Sequence, residues 1–200
     1  MKSKFILLAL IALAVAVAVG VPAFAEIEGS AHDFSADAWS GFQICAPCHT
    51  PHNASGDAAL WARSPLADQG PYTLWSSDDI LGTESLTCLS CHDGTLALEG
   101  VGGSTFMTGD ALIGTDLLND HPVGVAYSTS TSATRWQVPT ANSRTTDIKD
   151  LGDLYIYLDD AGTDYRVECA SCHDVHGSGI AALLRTSNAG SALCLSCHIR

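Results

Sequence analysis

The chain has 200 residues, 46% of them hydrophobic and 16% charged, and its acidic side chains outnumber the basic ones by 22 to 9. The resulting net charge of −13 argues against nucleic acid and against an anionic membrane surface as partners, since both are themselves negatively charged. Eight cysteines and eight histidines are also present, and their spacing carries most of the functional information.

Residues 1–25 predict a secretory signal peptide that is cleaved from the mature chain. Two lysines precede an almost wholly apolar run over residues 5–21, and Ala23-Phe24-Ala25 supplies the small-x-small cleavage site. Cleavage before Glu26 would leave 7 basic and 22 acidic side chains, a net charge of −15, in a single domain over residues 26–200. A retained membrane anchor is the alternative, but the apolar run is short for a span. We therefore expect export, with no membrane anchor after cleavage.

Beyond the signal segment, short elements are predicted between frequent Gly, Ser, Thr and Asp residues, which favour turns. The segment from His92 to Glu168 is the longest interval without a cysteine, and we expect most of the regular structure there. In chain order, the pattern predicts a helix at residues 57–63, a surface loop at 128–133, a β-hairpin formed by residues 154–158 and 165–168, and helical turns at 180–184 and 192–197, the last with Ser191 as its N-cap.

A Cys-x-x-Cys-His pattern occurs four times and uses all eight cysteines. The pattern is typical of c-type haem attachment, in which both thiols add to the haem vinyl groups and the histidine binds the iron. Zinc sites and disulfides also use paired cysteines, but neither requires a histidine directly after the second cysteine. The candidate attachment cysteines are Cys45, Cys48, Cys88, Cys91, Cys169, Cys172, Cys194 and Cys197, and the candidate proximal iron ligands are His49, His92, His173 and His198.

Four haems in a mature chain of this length define the expected fold class. Each haem would be shared by only about 44 residues, so the haems themselves would fill most of the interior. We therefore expect a multihaem cytochrome c fold, mostly irregular coil with short α-helices and a small β-hairpin, around a core of stacked haems.

Four histidines lie outside the motifs, which is the number of distal iron ligands that four haems require. Ordinary surface histidines are the alternative. Met107 and Lys149 could each replace one ligand, since the mature chain contains a single methionine and a single lysine. The candidate distal ligands are His32, His52, His121 and His176.

Two of these histidines cannot serve the haem of the motif that they follow. His52 comes three residues after His49, and His176 comes three residues after His173. Side chains three apart on a helical turn project from the same side, whereas the two axial ligands of one iron approach it from opposite faces. We therefore expect His52 and His176 each to reach a neighbouring haem, which would tether haems in close pairs.

With these motifs in place, the chain resembles the outer-surface tetrahaem cytochromes of the OmcE type, which polymerise into filaments in metal-reducing bacteria. The resemblance implies bis-histidine haems in a continuous chain, export to the cell exterior and assembly into a filament. It covers most of the mature chain except about residues 126–164. The matching stretches are residues 29–34, 45–53, 88–94, 119–123, 169–177 and 194–198.

The motifs predict electron transfer and no enzymatic activity, because an iron with two histidine ligands has no open position for a substrate. The expected partners are other redox proteins or further copies of this chain, with extracellular metal oxides or other electron acceptors as further candidates. We expect an extracellular or cell-surface location, with the periplasm as the alternative. Two other functions remain open: a monomeric periplasmic electron carrier, and a multihaem reductase with an open haem site.

The position of His32 leads to a further prediction about assembly. His32 lies six residues after the expected N-terminus at Glu26, so its segment could reach outward and ligate a haem of the adjacent subunit. Such a head-to-tail contact propagates as a filament when its rotation does not close. The alternative is that the segment folds back and His32 serves a haem of its own chain.

Overall fold

The computed structural model describes residues 27–52, 54, 60–62, 70–100, 102–130, 134–177 and 179–199. The expected signal peptide lies outside these residues, as do most of the helix expected at 57–63 and part of the loop expected at 128–133. The described chain is largely irregular, with short helices and one small antiparallel sheet. In this part of the chain, no helix has the length and hydrophobicity needed to cross a bilayer.

The α-helices of the described residues all carry cysteines of the repeated motif. They are α1 at Thr83–His92, α2 at Cys169–Cys172 and α3 at Ala192–Leu195. Helix α1 follows Gly82 and has Glu84 in its first turn, where an acidic side chain stabilises the helix by interacting with the positive end of its dipole. The 3₁₀ turns lie at Ala38–Ser40, Gly109–Ala111, Leu117–Asn119, Ala181–Leu183 and Ala189–Ser191.

The two helical turns predicted near the C-terminal motifs are present but shorter and less regular than expected. The turn expected at residues 180–184 is the 3₁₀ turn Ala181–Leu183, in which Ala182 and Leu183 have positive φ angles of 59° and 55°. The turn expected at residues 192–197 is α3, and Ser191 precedes it with a φ of 67°. Side-chain capping requires an extended backbone at this position. Ser191 occupies the predicted N-cap position, but its side chain makes no capping hydrogen bond.

Five antiparallel strands form one sheet in the order β1-β5-β4-β3-β2. The predicted hairpin is confirmed as β4 and β5, with Tyr157 opposite Arg166 and Leu158 opposite Tyr165. All the strands found in the described residues lie within residues 92–168, the interval expected to hold most of the regular structure. The strands are β1 at Val125–Ala126, β2 at Thr140–Ala141, β3 at Ile148–Leu151, β4 at Leu154–Leu158 and β5 at Tyr165–Val167.

Two hydrophobic clusters of the polypeptide hold the motifs in place. The sheet and its flanks contribute Tyr127, Leu151, Leu154, Ile156 and Val167 to the first cluster. Three side chains of the last two motifs and of α3 pack against it: Cys172, Leu193 and Cys197. Leu81, Leu89 and Leu117 form the second cluster, around α1. The sheet is thus the support for the third and fourth motifs, while the core of stacked haems stays a prediction.

Candidate haem-binding sites

Each Cys-x-x-Cys-His motif folds as a single helical turn. The backbone N–H of the histidine donates to the carbonyl of the first cysteine, at 2.8 Å for His49, 3.1 Å for His173 and 2.9 Å for His198. The second motif forms the last turn of α1. Residues at positions i, i+3 and i+4 of such a turn share one face. The local fold therefore presents two sulfur atoms and one imidazole toward the same side, as haem attachment requires.

Short backbone bridges to a separate segment fix the position of three motif histidines. In the third motif, Asp174 N–H donates to the Leu183 carbonyl at 2.7 Å, and Arg185 N–H donates to the Cys172 carbonyl at 2.8 Å. In the second motif, the carbonyl of His92 instead accepts from Ile113 N–H at 2.8 Å. The bridges pair His49 with Trp61, His173 with Leu184 and His198 with Trp136.

The bridging segments also orient the imidazole rings. His92 Nδ1 lies 2.7 Å from the Ala111 carbonyl, and His173 Nδ1 lies 2.9 Å from the Ala182 carbonyl. A carbonyl oxygen can only accept, so Nδ1 donates in both contacts, and this tautomer of the imidazole directs the Nε2 lone pair to a metal ion. His121 Nδ1 has the same kind of contact, at 3.0 Å from the Pro122 carbonyl.

These bridging residues were missed in the sequence analysis, although the sequence contains a partial signal for them. Ala111 and Ala182 each begin an Ala-Leu-hydrophobic triplet, and the third residue of the triplet, Ile113 or Leu184, forms the backbone contact described above. Residues 59–61 read Ala-Leu-Trp, so the first motif also has such a triplet, whereas residues 134–136 read Thr-Arg-Trp. A search for one triplet per motif would have found three of the four segments.

The structure brings three motif histidines against three of the extra histidines. Imidazole–metal bonds are about 2 Å long, so two imidazoles on opposite sides of one metal ion have ring centroids roughly 6.3 Å apart. The observed centroid distances are 5.9 Å for His32 and His92, 5.9 Å for His49 and His176, and 6.4 Å for His121 and His198. These distances fit a metal ion between the two rings of each pair.

His52 and His173 are the two histidines that remain after this pairing. Within the described residues, the structure does not bring their rings into contact. His176 is paired with His49 and not with its sequence neighbour His173, in agreement with the argument that residues three apart project from the same side.

His32 folds back onto its own chain. Burial lowers the pKa of His32, and the nearby His92 and His173 lower it further, so the ring stays in the neutral form that a metal ligand requires. Its contact with His92 is the one expected if the N-terminal segment folds back and His32 serves a haem of its own chain. The prediction that His32 serves an adjacent subunit stays a prediction, because the structure describes one chain.

The cysteines bring neighbouring motifs together. Cys88 of the second motif and Cys169 of the third share a hydrogen bond, which raises the pKa of Cys88 and lowers that of Cys169 to about 7. Burial, together with the nearby Cys172 of the third motif, raises the pKa of Cys197 in the fourth motif to about 11. The third motif therefore lies beside both the second and the fourth.

Several large apolar side chains beside the motif histidines are exposed. Leu60 is 57% exposed, Leu112 is 44% exposed and Trp136 is 36% exposed, and all three belong to the bridging segments. Trp136 also lies against the ring of His198, with 4.5 Å between the centroids. A large apolar macrocycle attached at these motifs would cover such surface.

The zinc and disulfide alternatives find no support in the geometry. All eight cysteines lie in the described part of the chain, and none forms a disulfide. Among the described residues, no group of three or more His, Cys, Asp or Glu side chains is placed to hold a metal ion. A structural zinc site needs four such ligands around one point. The Cys-x-x-Cys-His donor set thus fits c-type haem better than a structural zinc site.

Comparison with known proteins agrees with this assignment. A family model for a doubled CXXCH motif matches residues 164–200, which contain the third and fourth motifs. A search of curated proteins found no match. Paired CXXCH motifs indicate covalently bound c-type haem with iron and a role in electron transfer, as in multihaem c-type cytochromes.

The number of haems is directly measurable. We expect the exported protein to exceed the mass of its mature chain by four haems, and to retain them in acidified acetone, because thioether bonds are covalent. No thiol should react with an alkylating reagent after denaturation. Intact-protein mass spectrometry checks both expectations. Stoichiometric zinc, or fewer than three haems when the attachment machinery is present, would contradict them.

Proposed function

We propose that the chain is a tetrahaem c-type cytochrome that transfers electrons, with one haem attached at each motif and two histidines on each iron. The spacing of the paired histidine rings is the observation that carries this proposal. In this proposal, three irons are each bound by a pair of histidines whose rings are in contact: His49 with His176, His92 with His32, and His198 with His121. By elimination, His52 completes the site of His173.

The residues of the chain account for how these sites would work. When bound, each haem iron supplies a one-electron redox centre. With haem bound, each histidine pair would supply two imidazole ligands to one iron and so leave no open position for a substrate or water. A methionine ligand raises the reduction potential of the haem in other cytochromes c. Since both proposed ligands here are histidines, low reduction potentials are expected. The carbonyls of Ala111 and Ala182 hold the proximal rings and raise their basicity.

We further propose that the protein is exported and assembles head-to-tail into an extracellular conduit. The signal segment at residues 1–25 and the resemblance to filament-forming cytochromes support this proposal. A monomeric periplasmic carrier is the second candidate, and the contact of His32 with His92 within one chain favours it, because no partner chain is needed to complete that site.

Two measurements on the exported protein test the proposal. Absorption and electron paramagnetic resonance spectra should show only low-spin haem in the resting protein, while light scattering and electron microscopy should show filaments. Monodisperse particles with the mass of one chain would overturn the filament and leave the carrier. A high-spin haem in the resting protein would overturn full histidine ligation and favour a reductase, with the third motif as the first site to examine.

A further inference from the structure

A buried carboxyl group lies at the junction of the second and third motifs. Glu168 directly precedes Cys169 and is only 2% exposed. Its Oε1 accepts from the N–H of Gly82, the residue that precedes α1, at 3.1 Å. Its Oε2 has no hydrogen-bond partner among the described residues. An ionised carboxylate in such a position is costly, because it has lost water without gaining a full set of partners.

A second carboxyl group lies next to it. A Cβ atom placed on Gly82 would be 3.0 Å from Glu84 Oε2 and 3.1 Å from Glu168 Oε1, so both oxygens border the same small space beside Gly82. Glu84 is half-buried and in turn interacts with Asp160, which is exposed in the turn between β4 and β5. The three carboxyl groups form a series that leads from solvent to the buried Glu168.

The surroundings hold Glu168 close to titration at neutral pH. Burial, with a smaller contribution from Glu84, raises the pKa of Glu168 to about 8 against the opposing effect of the Ser85 hydroxyl and the Gly82 N–H. Burial also raises the pKa of Glu84, and Asp160 adds to that effect. The neutral form of Glu168 therefore prevails at pH 7, and modest changes in nearby charge can displace its proton.

Other titratable groups pack around this junction. The Cys169 thiol contributes to the raised pKa of Glu168, but a thioether at that position has no proton to lose. Tyr157 of β4 donates to the Ala170 carbonyl, and burial raises its pKa to about 12, so the phenol stays neutral. Arg185 faces Tyr157 and forms an ion pair with Asp174. Glu84 is thus the charged neighbour that acts on Glu168 once haem is attached.

We propose that Glu168 and Glu84 form a proton-binding site that couples proton uptake to the redox state of the haems at the second and third motifs. This inference rests on the proposed electron-transfer function. When an external one-electron donor reduces either haem, the added negative charge favours a proton on Glu168, which arrives from water by way of Glu84. When the electron leaves, the proton returns to water. Each electron that enters is thus balanced by one proton on Glu168. Charge interactions are several-fold stronger in a protein interior than in water, which makes such coupling effective here.

Hydrogen bonds connect the site to both motifs. Glu168 N–H donates to Ser171 Oγ inside the third motif at 2.9 Å, and Cys169 N–H donates to Ser85 Oγ of α1 at 2.9 Å. A purely structural role for Glu168, as a support between α1 and α2, is the competing explanation. Glutamine keeps the shape and the Gly82 contact of Glu168 but cannot ionise, so the variant Glu168→Gln separates the two explanations.

The test measures protons taken up per electron when the haem-loaded protein is reduced by dithionite in weak buffer with a pH indicator. The wild type should take up a proton that is most evident around pH 8. Glu168→Gln should lose it, and Glu84→Gln should move the uptake to lower pH, because removing a negative neighbour lowers the pKa of Glu168. The control Glu99→Gln removes an exposed carboxyl group outside this site and should match the wild type. Equal uptake in Glu168→Gln and the wild type would assign the protons to other groups, such as the haem propionates, and overturn the proposal.

Two further readouts keep the proposal testable. Haem content and low-spin spectra are recorded first for every variant, so a failure of the proposed haem ligation is recognised separately from a failure of proton coupling. If Glu168→Gln does not fold, reduced-minus-oxidised infrared spectra of the wild type replace it. The carbonyl stretch of a protonated carboxyl group should grow on reduction and shift on labelling with ¹³C-glutamate. A difference spectrum without that band, or with a band that the label does not shift, would also overturn the proposal.

Discussion

The substitution His176→Ala is expected to convert the haem at Cys45 and Cys48 from low spin to high spin. The ring of His176 lies 5.9 Å from that of His49, with the two planes only 23° apart, so its removal would take away one of the two proposed ligands of that iron. The covalent attachment through the two cysteines should survive. One quarter of the total haem should therefore show high-spin absorption and electron paramagnetic resonance signals, with an unchanged number of haems per chain.

Two controls locate the affected haem. Added imidazole should restore the low-spin spectrum, because it can enter the vacated position. In a chain that carries Cys45→Ala and Cys48→Ala, the His176 substitution should add no high-spin signal, since its haem is already missing. A high-spin signal that persists in the combined variant would show that His176 serves a different haem.

The substitution His32→Ala is expected to create one high-spin haem at Cys88 and Cys91 without changing the state of assembly. His32 and His92 lie in one chain with 5.9 Å between their ring centroids, and the neutral form of the buried His32 ring is the one that binds iron. Loss of this contact would remove the proposed ligand within the same subunit. Spectra recorded beside light scattering, over a range of protein concentrations, measure both properties together.

The same experiment decides between the two arrangements of the N-terminal segment. If His32 served an adjacent subunit, His32→Ala would abolish filaments together with the low-spin state, and dilution of the wild type would produce high-spin haem. If His32 acts within its own chain, the wild type should stay low-spin at every concentration. His121→Ala provides a matched control, because His121 is the partner of His198 and lies well inside the chain.

Local features of this protein were predictable because they depend on a few neighbouring residues. The four Cys-x-x-Cys-His motifs each close one helical turn, and a turn alone fixes which face two sulfur atoms and an imidazole share. The same local geometry predicts that His176 does not serve the haem of His173, and the ring of His176 lies against His49. The hairpin of β4 and β5 was predictable from alternating strand formers on either side of Asp159-Asp160-Ala161-Gly162.

Predictions that depended on finer backbone geometry were less successful. Ser191 has the residue type of an N-cap, yet its left-handed backbone keeps the side chain from the helix N–H groups. Ala182 and Leu183 also adopt positive φ angles, which place the Ala182 carbonyl against His173. Such angles are uncommon outside glycine, so residue type alone does not predict them.

The sequence by itself determined the chemistry of attachment: eight cysteines and four adjacent histidines, all consumed by one short pattern. Only the tertiary structure decided which distant histidines meet, since His49 and His176 lie in the first and third motif regions and their contact depends on the path of the chain between them. It also decided that Glu168 is buried against Gly82. From its place beside the hairpin, a carboxyl group would instead be expected to face solvent. Spacing along the chain controls contacts within one turn, whereas contacts between remote segments follow from how the sheet and α1 pack.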